Sequence, residues 1–381
     1  MVALDRKQIV QNAKHLVVKV GTNVLTTAEG RLNTERVRRL VDELCAIRAR
    51  NVYTTLVSSG AIGAGMGRLG LTERPKFSPT LQALAAIGQG ALIQNYEDEF
   101  SKRGVVAAQI LLTASDLSSR ERYLNIRNTF YTLFNYGAVP IVNENDAVSS
   151  AELSLTFGDN DRLAALVSCL FPEPLTILLT DVDGLYDGDP ALPESKLVSK
   201  VDKWSPALME MVAEKKSSRS KGGMSSKLKA ARTVTSVGGT LIVANGDDPD
   251  ILSKIYAGDE VGTIFLPSER LAARKRWFRQ APPCGTLVVD AGAARALLKQ
   301  GKSLLPIGVV ETRGSFRKGA VVSIVDLQGR ELGRGLSNYS SQDAELVCGK
   351  RSGELADALG HDSDVYEEIV HRDNFQMFAV D

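Results

Sequence analysis

The sequence has few cysteines, almost no net charge and no long apolar run, and each shortage argues against a class of protein. Its four cysteines lie far apart and form no CxxC pair, which argues against a zinc module or a disulfide scaffold and fits a reducing compartment. The formal charge of +1 provides no global field that would recruit nucleic acid or an anionic membrane. No apolar stretch reaches the roughly 20 residues that span a bilayer, and the N-terminus lacks the apolar segment of a signal peptide. We therefore expect a cytoplasmic protein.

What the sequence does contain is an alternation of short, β-branched apolar runs with longer helical patterns. This alternation predicts an α/β fold in which a mainly parallel sheet is sandwiched by helices. The predicted strands are His15–Val20, Tyr53–Val57, Val105–Leu112, Ala138–Val142, Leu175–Leu179 and Thr240–Val243. The predicted helices are Asn33–Arg50, Ser78–Arg103, Asn125–Tyr136, Arg162–Leu170 and Ser225–Val237.

The pattern changes near Glu260, and a length of 381 residues makes two domains the natural expectation. A basic segment ends in Pro282–Pro283, and short strands punctuated by glycine follow it. These features predict a small, mostly-β, barrel-like domain. We place the first domain at residues 1–264, the linker at 265–280 and the second domain at 281–381.

Three familiar ligand motifs are present only in form. Gly65, Gly67 and Gly70 satisfy GxGxxG, but the preceding strand ends too early for a dinucleotide fingerprint. The segment Gln300–Ser303 resembles a P-loop, but it lacks the required earlier glycine and follows a helical pattern. The acidic run Asp181–Asp189 lacks the spacing and terminal glutamate of a calcium loop, so we interpret it as a turn.

In parallel sheets ligands bind beyond the carboxyl ends of the strands, so the residues that follow each strand are the candidate site. Lys19 lies inside an apolar strand, where it either extends to solvent at a sheet edge or is held for an anion. Gly21 begins a turn of small residues behind it, which favours the anion. The segment Ser58–Gly65 ends the second strand and is either an anion-holding turn or a flexible loop.

Later strands also end in polar residues. Asn143–Asp146 supplies carboxylates and amides that suit an ammonium group or a cation-bridged phosphate. Gly222–Gly223 precedes a helix that carries Lys227, which indicates either an anion seat or a surface loop. The sequence FGDND places Asp159, Asn160 and Asp161 before an apolar helix, where Asp159 or Asn160 is suited to cap it. Two lysines, glycine loops and an acidic cluster at strand ends are what phosphoryl transfer needs.

Six motifs in this order carry a resemblance to a known family: KVGTNVLT, SSGAIGAG, NENDAV, FGDND, TDVDGLY and KGGMSSK. They resemble the amino acid kinase family over roughly residues 14–260, and in particular its members that phosphorylate glutamate. The part from about residue 281 resembles the PUA domain, named for pseudouridine synthases and archaeosine transglycosylases. The resemblance implies the amino acid kinase fold and ATP-dependent phosphorylation of the γ-carboxylate of L-glutamate, the first step of proline biosynthesis.

The resemblance also implies residue roles. Lys19 and Lys227 would stabilise the transferring phosphoryl group, and Asp161 would hold the two lysines. L-Glutamate would be bound by Ser59, Gly60, Asn143, Asp146 and Asn160. The nucleotide would be bound by Lys19, Gly21, Thr180, Asp181, Lys221, Gly222, Gly223, Met224, Ser225, Ser226 and Lys227. Lys221 departs from the family, which usually has a small hydroxyl residue there, and its role stays open.

ATP with Mg²⁺ is the implied cofactor pair, and no metal ligand is assigned to the protein. Implied partners are proline as feedback inhibitor, further copies in a homodimer or homotetramer, and a glutamyl-phosphate reductase. A related enzyme acting on N-acetylglutamate, aspartate or carbamate is the enzymatic alternative. RNA binding is the other alternative, since PUA domains elsewhere bind RNA. Residues 281–381 contain 11 Lys+Arg against 14 Asp+Glu, a net charge of −3, which is unlike an RNA-binding face.

Overall fold

The structure, a computed structural model, describes residues 5–27, 32–113, 116–117, 120–147, 160–190, 192–206, 208, 223–267, 282–360 and 365–378. The chain divides into two compact units, Met1–Ala273 and Arg274–Asp381. Because residues 268–281 lie outside the described residues, the bounds of the linker stay a prediction.

The first unit is built on an eight-stranded sheet. Its strands are β1 (His15–Val20), β2 (Tyr53–Ser58), β3 (Ala107–Leu112), β4 (Val139–Glu144), β5 (Leu175–Thr180), β6 (Lys200–Val201), β7 (Thr240–Asn245) and β8 (Thr263–Phe265). Their order is β3-β4-β2-β1-β5-β7-β8-β6, and every neighbouring pair is parallel except β7 and β8. The predicted mainly parallel sheet is therefore confirmed, and the two short strands β6 and β8 extend it beyond the six predicted.

Among its described residues, the first unit also contains nine helices. They are α1 (Arg6–Asn12), α2 (Thr22–Leu25), α3 (Thr34–Arg48), α4 (Ala61–Leu69), α5 (Ser78–Ser101), α6 (Arg120–Asn135), α7 (Asn160–Ser168), α8 (Met224–Ser236) and α9 (Ile251–Ala257). All five predicted helices are present, with starts or ends displaced by one to five residues. Among the described residues, no helix combines the length and apolar character that a membrane span requires.

The central strand β1 shows why the sheet needs helices on both faces. All six of its residues are buried, so it has no solvent-facing side. Its apolar residues Leu16, Val18 and Val20 pack in one core with α3 and α5, and its opposite face is buried as well. A strand buried on both faces is typical of a parallel sheet inside an α/β sandwich.

Helices α4 and α5 cross unusually closely because glycines lie at the crossing. A Cβ on Gly65 would lie 2.0 Å from the backbone oxygen of Leu84, and one on Gly88 would lie 1.9 Å from that of Ala61. Neither space can hold a side chain, so the backbones themselves are in contact. The GxGxxG pattern therefore reflects helix packing, and Gly70 ends α4 in the left-handed conformation at φ 68°.

The second unit has its own mixed five-stranded sheet and core. Its strands are β9 (Gly285–Val289), β10 (Val309–Arg313), β11 (Val321–Val325), β12 (Glu331–Leu336) and β13 (Phe375–Met377), in the order β10-β9-β11-β12-β13. Its helices are α10 (Ala291–Gln300), α11 (Ser341–Val347) and α12 (Leu355–Leu359), with 3₁₀ turns at Pro306–Gly308, Ser352–Glu354 and Arg372–Asn374. The predicted small, β-rich domain is confirmed, whereas its closure into a barrel stays a prediction. Gln300 ends α10 and Gly301 caps it at φ 60°, so the P-loop-like segment is a helix terminus.

Candidate active site

The carboxyl ends of β1, β2, β4 and β5 lie side by side in the sheet, and α7 begins among them. The polar residues that follow these strands are therefore brought together by the parallel topology. They form three adjoining groups: a lysine–aspartate group, an amide group around Asn160, and a group at the end of β5.

The lysine–aspartate group joins three nearly buried charged side chains. Asp161 Oδ1 lies 2.7 Å from Lys19 Nζ, and Asp161 Oδ2 lies 3.3 Å from Lys227 Nζ. The side chains of the aspartate and the two lysines are only 2%, 9% and 8% exposed. Ser226 Oγ also donates to Asp161 Oδ2 over 3.2 Å. One carboxylate thus holds two ammonium groups at a single position.

Electrostatics keep this carboxylate ionised. Burial alone would raise the pKa of Asp161, but the nearby charges of Lys19 and Lys227 outweigh it and lower the pKa below the usual value. Asp161 also lies in the first turn of α7, where the helix dipole favours a negative charge.

The topology decides between the two interpretations of Lys19. Strand β1 is paired on one side with β2 and on the other with β5, with Lys19 opposite Val57 and Leu178. An interior strand offers no sheet edge, and Lys19 is 7% exposed. The sheet-edge alternative is therefore wrong, and the lysine is buried because a carboxylate pairs with it.

The amide group is centred on Asn160, the first residue of α7. Its Nδ2 lies 2.7 Å from the backbone oxygen of Ser58, 3.0 Å from Ser59 Oγ and 3.0 Å from Asn143 Oδ1. Asn143 in turn donates through Nδ2 to Gln89 Oε1 over 2.8 Å. The structure therefore brings together three of the predicted substrate residues, Ser59, Asn143 and Asn160.

The turn after β2 is shorter than predicted, since the sequence indicated a turn or loop over the whole of Ser58–Gly65. Ser59 donates its backbone N–H to the backbone oxygen of Val20. Gly60 adopts a left-handed backbone conformation at φ 102°, which favours glycine because it has no Cβ. Helix α4 begins immediately at Ala61, so most of the segment is helical rather than a flexible loop. Gly60 is the N-cap of this helix and lies next to the amide group.

Asp146 lies in the turn that follows β4. Burial raises the pKa of its carboxyl to about 6, the negative charge of Glu144 adds to the increase, and Arg74 opposes it. A carboxylate that is costly to ionise alone gains most from a cationic ligand. No hydrogen bond or ion pair of Asp146 is seen among the described residues, so the structure does not join it to the amide group, and its place in the site stays a prediction.

The third group lies at the ends of β1 and β5. Thr180 Oγ1 donates to Asp181 Oδ1 over 3.1 Å, and Asn23 Nδ2 donates to Asp181 Oδ2 over 3.0 Å. Burial would raise the pKa of Asp181, but these hydrogen bonds, led by that of Asn23, lower it. Gly21 donates its backbone N–H to the oxygen of Leu179, which ties the two strand ends together.

Helix α8 supplies the remaining predicted residues. Gly223 is its N-cap, Met224, Ser225 and Ser226 form its first turn, and Lys227 follows. Lys221, Gly222 and Asp159 were also predicted for the site or its cap, and they lie outside the described residues. With Asp159 outside, the cap of α7 stays a prediction.

Sequence reasoning missed three residues that support the site. Asn23 holds Asp181, Gln89 holds Asn143, and Tyr96 OH lies 2.9 Å from Ser58 Oγ. Gln89 and Tyr96 lie seven positions apart on α5 and so share one face of that helix. No local motif marks them, because their partners are far away in the sequence.

The described residues contain no cluster of three or more His, Cys, Asp or Glu side chains that could hold a metal. The nearest acidic groups are already engaged, since Asp161 pairs with two lysines and Asp181 accepts two hydrogen bonds. In the acidic turn after β5, Asp183 Oδ1 accepts from Asn245 and Asp183 Oδ2 from Tyr186, which agrees with the turn interpretation.

Comparison with known proteins places this arrangement in a family. The amino acid kinase family model matches residues 14–245, and the PUA domain model matches residues 285–359. The glutamate 5-kinase of Rhodopirellula baltica is 47% identical over 377 residues, covering 98% of this chain and 96% of that protein. The glutamate 5-kinase of Caldanaerobacter subterraneus is 45% identical over 362 residues, covering 94% and 96%.

Solved structures with a similar backbone include carbamate kinase from Giardia lamblia bound to AMP-PNP. The similarity has a TM-score of 0.46 at 18% identity and covers 68% of this chain and 100% of the other. The sequence relatives, by contrast, extend over nearly the whole chain, and the resemblance drawn from the six motifs is confirmed. With a family model that matches well over half of its residues, the chain belongs to the amino acid kinase family and carries a C-terminal PUA domain.

Proposed function

We propose that this chain is a glutamate 5-kinase, which transfers the γ-phosphoryl group of ATP to the γ-carboxylate of L-glutamate. The product is L-glutamyl 5-phosphate, and the reaction is the first step of proline biosynthesis. The observation that carries the proposal is the pair of buried lysines held by Asp161 directly beside the amide group of Asn160. The relatives named above, which are glutamate 5-kinases, support the choice of substrate.

The chemistry needs no general base. The nucleophile is a carboxylate, which is already ionised near neutral pH. The obstacle is the approach of one anion to another, so the protein must supply positive charge where the phosphoryl group passes. Lys19 and Lys227 have this role in our proposal. Asp161 keeps them in place and stops them from repelling each other before the substrates bind.

The amide group and Asp146 would bind L-glutamate. Ser59 Oγ, Asn160 and the turn at Gly60 present polar atoms at the end of β2, with Asn143 behind them. Asp146 would pair with the α-ammonium group, because a carboxylate with a raised pKa is stabilised by a cation. This carboxylate also favours a free amine over an acetylated one. N-acetylglutamate is therefore the less fitting acceptor.

The groups at β5 and α8 would bind the nucleotide. Thr180 and Asp181 provide hydrogen-bonding groups at the end of β5, next to Gly21. The first turn of α8, preceded by Gly223, offers backbone N–H groups to phosphate oxygens. Lys221 and Gly222 would extend this segment, as the sequence motif predicts.

Mg²⁺ would enter this site with the nucleotide. In kinases this ion is usually held by one or two carboxylates together with the phosphates, rather than by a cage of protein ligands. The carboxylates of Asp161 and Asp181 are already engaged, which fits an ion that the phosphates hold, and no protein ligand is assigned to it. When bound, the ion would neutralise charge on the transferred phosphoryl group.

Further features are proposed from the resemblance to the family. They are inhibition by proline, assembly into a homodimer or homotetramer, transfer of the product to a glutamyl-phosphate reductase, and a cytoplasmic location. Assembly has some support from the structure. The edge strand β3 exposes apolar side chains, with Leu111 at 38%, and Val106 just before it is 65% exposed.

An acceptor panel tests the proposed function. The purified chain is supplied with ATP, Mg²⁺ and hydroxylamine, which converts an acyl phosphate into a hydroxamate, and both ADP and hydroxamate are measured. L-Glutamate, N-acetyl-L-glutamate, L-aspartate and carbamate are compared as acceptors. We expect both products only with L-glutamate. Products with N-acetyl-L-glutamate and none with L-glutamate would assign the chain to the alternative substrate.

A further inference from the structure

A chain of amide groups leads from helix α5 to the predicted substrate pocket. Gln89 on α5 accepts a hydrogen bond from Asn143 Nδ2 through its Oε1, over 2.8 Å. Asn143 Oδ1 then accepts from Asn160 Nδ2 over 3.0 Å. The chain ends at Asn160, which is 3% exposed and reaches the end of β2.

Two backbone groups give this chain a direction. The backbone N–H of Glu144 can only donate, and it lies 2.9 Å from Asn143 Oδ1, so the amide nitrogen of Asn143 must face Gln89. The backbone carbonyl of Ser58 can only accept, and it receives Asn160 Nδ2 over 2.7 Å. The amide nitrogen of Asn160 therefore faces the protein.

The direction leaves one acceptor without a donor. Asn160 Oδ1 is buried, and among the described residues no group donates to it. A buried acceptor without a partner is costly, and the cost is removed when a ligand supplies an N–H. Both carboxylates of glutamate are acceptors only, so its α-ammonium is the one group of the substrate that can donate at this oxygen.

We propose that Gln89 is a positioning residue for recognition of the substrate amine. Its Oε1 anchors the amide of Asn143, whose Oδ1 holds Asn160 Nδ2, so Gln89 keeps in place the orientation of Asn160 Oδ1 that the two backbone groups set. The inference rests on the proposed function and adds to it a residue that no motif contains. Gln89 itself need not touch the substrate.

The helix crossing explains how Gln89 reaches this position. Gly88, its neighbour in the sequence, allows α5 to contact α4 at backbone distance. On the same face of α5, Tyr96 OH lies 2.9 Å from Ser58 Oγ, and the backbone oxygen of Ser58 is an acceptor for Asn160. One helix thus supports the Asn160 amide from two directions.

The experiment compares two ligands that differ only in the amine. KM is measured for L-glutamate, and Ki is measured for glutarate, which has the same two carboxylates without the α-ammonium group. The variant is Gln89→Met, which keeps the length of the side chain and removes the acceptor. The matched control is Gln94→Met on the same helix, since Gln94 is exposed and donates to the exposed Asp98. KM for ATP is measured in all three proteins.

In Gln89→Met we expect KM for L-glutamate to rise about tenfold, as for the loss of a hydrogen bond to a charged group. Ki for glutarate, KM for ATP and all values of Gln94→Met should stay within about twofold of the wild type. A ratio of KM to Ki that changes by less than about threefold would overturn the inference, since a purely structural role weakens both ligands alike. Wild-type protein inactive with L-glutamate would instead refute the proposed function, so the two failures are distinguishable.

Discussion

The substitution Asp161→Asn tests the lysine–aspartate group most sharply. It keeps the size of the side chain but removes the negative charge that faces two ammonium groups. Because the aspartate is 2% exposed and the lysines 9% and 8%, water cannot replace the lost partner. Removal of one partner from a buried ion pair costs about 3–5 kcal/mol.

This loss of free energy of unfolding corresponds to a decrease in the melting temperature. For a unit the size of Met1–Ala273, a loss of 1 kcal/mol lowers the melting temperature by about 2 °C. We therefore expect the variant to melt roughly 6–10 °C below the wild type in the absence of ligands. We also expect kcat to fall by about 100-fold or more, since the lysines are no longer held for the phosphoryl group.

The assay is differential scanning calorimetry at low ionic strength together with steady-state kinetics. Asp98→Asn is the control, because Asp98 is an exposed carboxylate on α5, and its melting temperature should change by about 1 °C or less. A melting temperature of Asp161→Asn within about 1 °C of the wild type would refute the reasoning that one carboxylate compensates two buried lysines.

Three further predictions concern packing, charge and pH. Gly88→Ala should lower the free energy of unfolding by about 2 kcal/mol or more, because the new Cβ would lie 1.9 Å from the backbone oxygen of Ala61. Gly90→Ala on the same helix has open space and should not lower it. Calorimetry distinguishes the two variants, and equal melting temperatures would contradict the close crossing of α4 and α5. Lys227→Ala should lower kcat by about 100-fold or more while Lys229→Ala, an exposed residue of α8, leaves kcat unchanged, and an unchanged kcat in the first would remove Lys227 from catalysis. Burial raises the pKa of Asp146 in the free protein to about 6, so at lower pH the carboxyl is protonated and loses its attraction for an ammonium group. KM for L-glutamate should therefore rise as the pH falls below about 6. An equally steep dependence of KM on pH in Asp146→Asn would exclude this carboxyl as the cause.

The fold could be predicted from the sequence where local patterns are strong. The six main strands are apolar and β-branched, and the burial of the central strand β1 on both faces follows from the parallel sheet around it. The short strands β6 and β8 escaped prediction because two or three residues carry no periodicity. Helix α4 was misjudged because its glycines and alanines are typical of a turn. The need for small residues in α4 becomes visible only at its crossing with α5, where a side chain has no room.

Most residues of the site could be predicted from the sequence, but the contacts between their side chains could not. Lys19 was identified by its position inside an apolar strand and Lys227 by its position at the start of a helix. The family motifs supplied the link to Asp161. Nothing in the sequence identifies Gln89, since its partner Asn143 lies 54 residues away and a glutamine on a long helix is ordinary. Likewise, the direction of the Asn160 amide depends on backbone groups of β2 and β4 that only the folded sheet brings near.

The measurement that tests the central claim most directly follows oxygen from the substrate. L-Glutamate labelled with ¹⁸O in its γ-carboxylate is incubated with the chain, ATP, Mg²⁺ and hydroxylamine, and the released phosphate is examined by mass spectrometry. If the carboxylate attacks the γ-phosphorus of ATP, its oxygen becomes the bridging atom of the acyl phosphate. Hydroxylamine then attacks the carbonyl carbon, and each phosphate leaves with one ¹⁸O atom. Phosphate that forms without ¹⁸O would contradict the account.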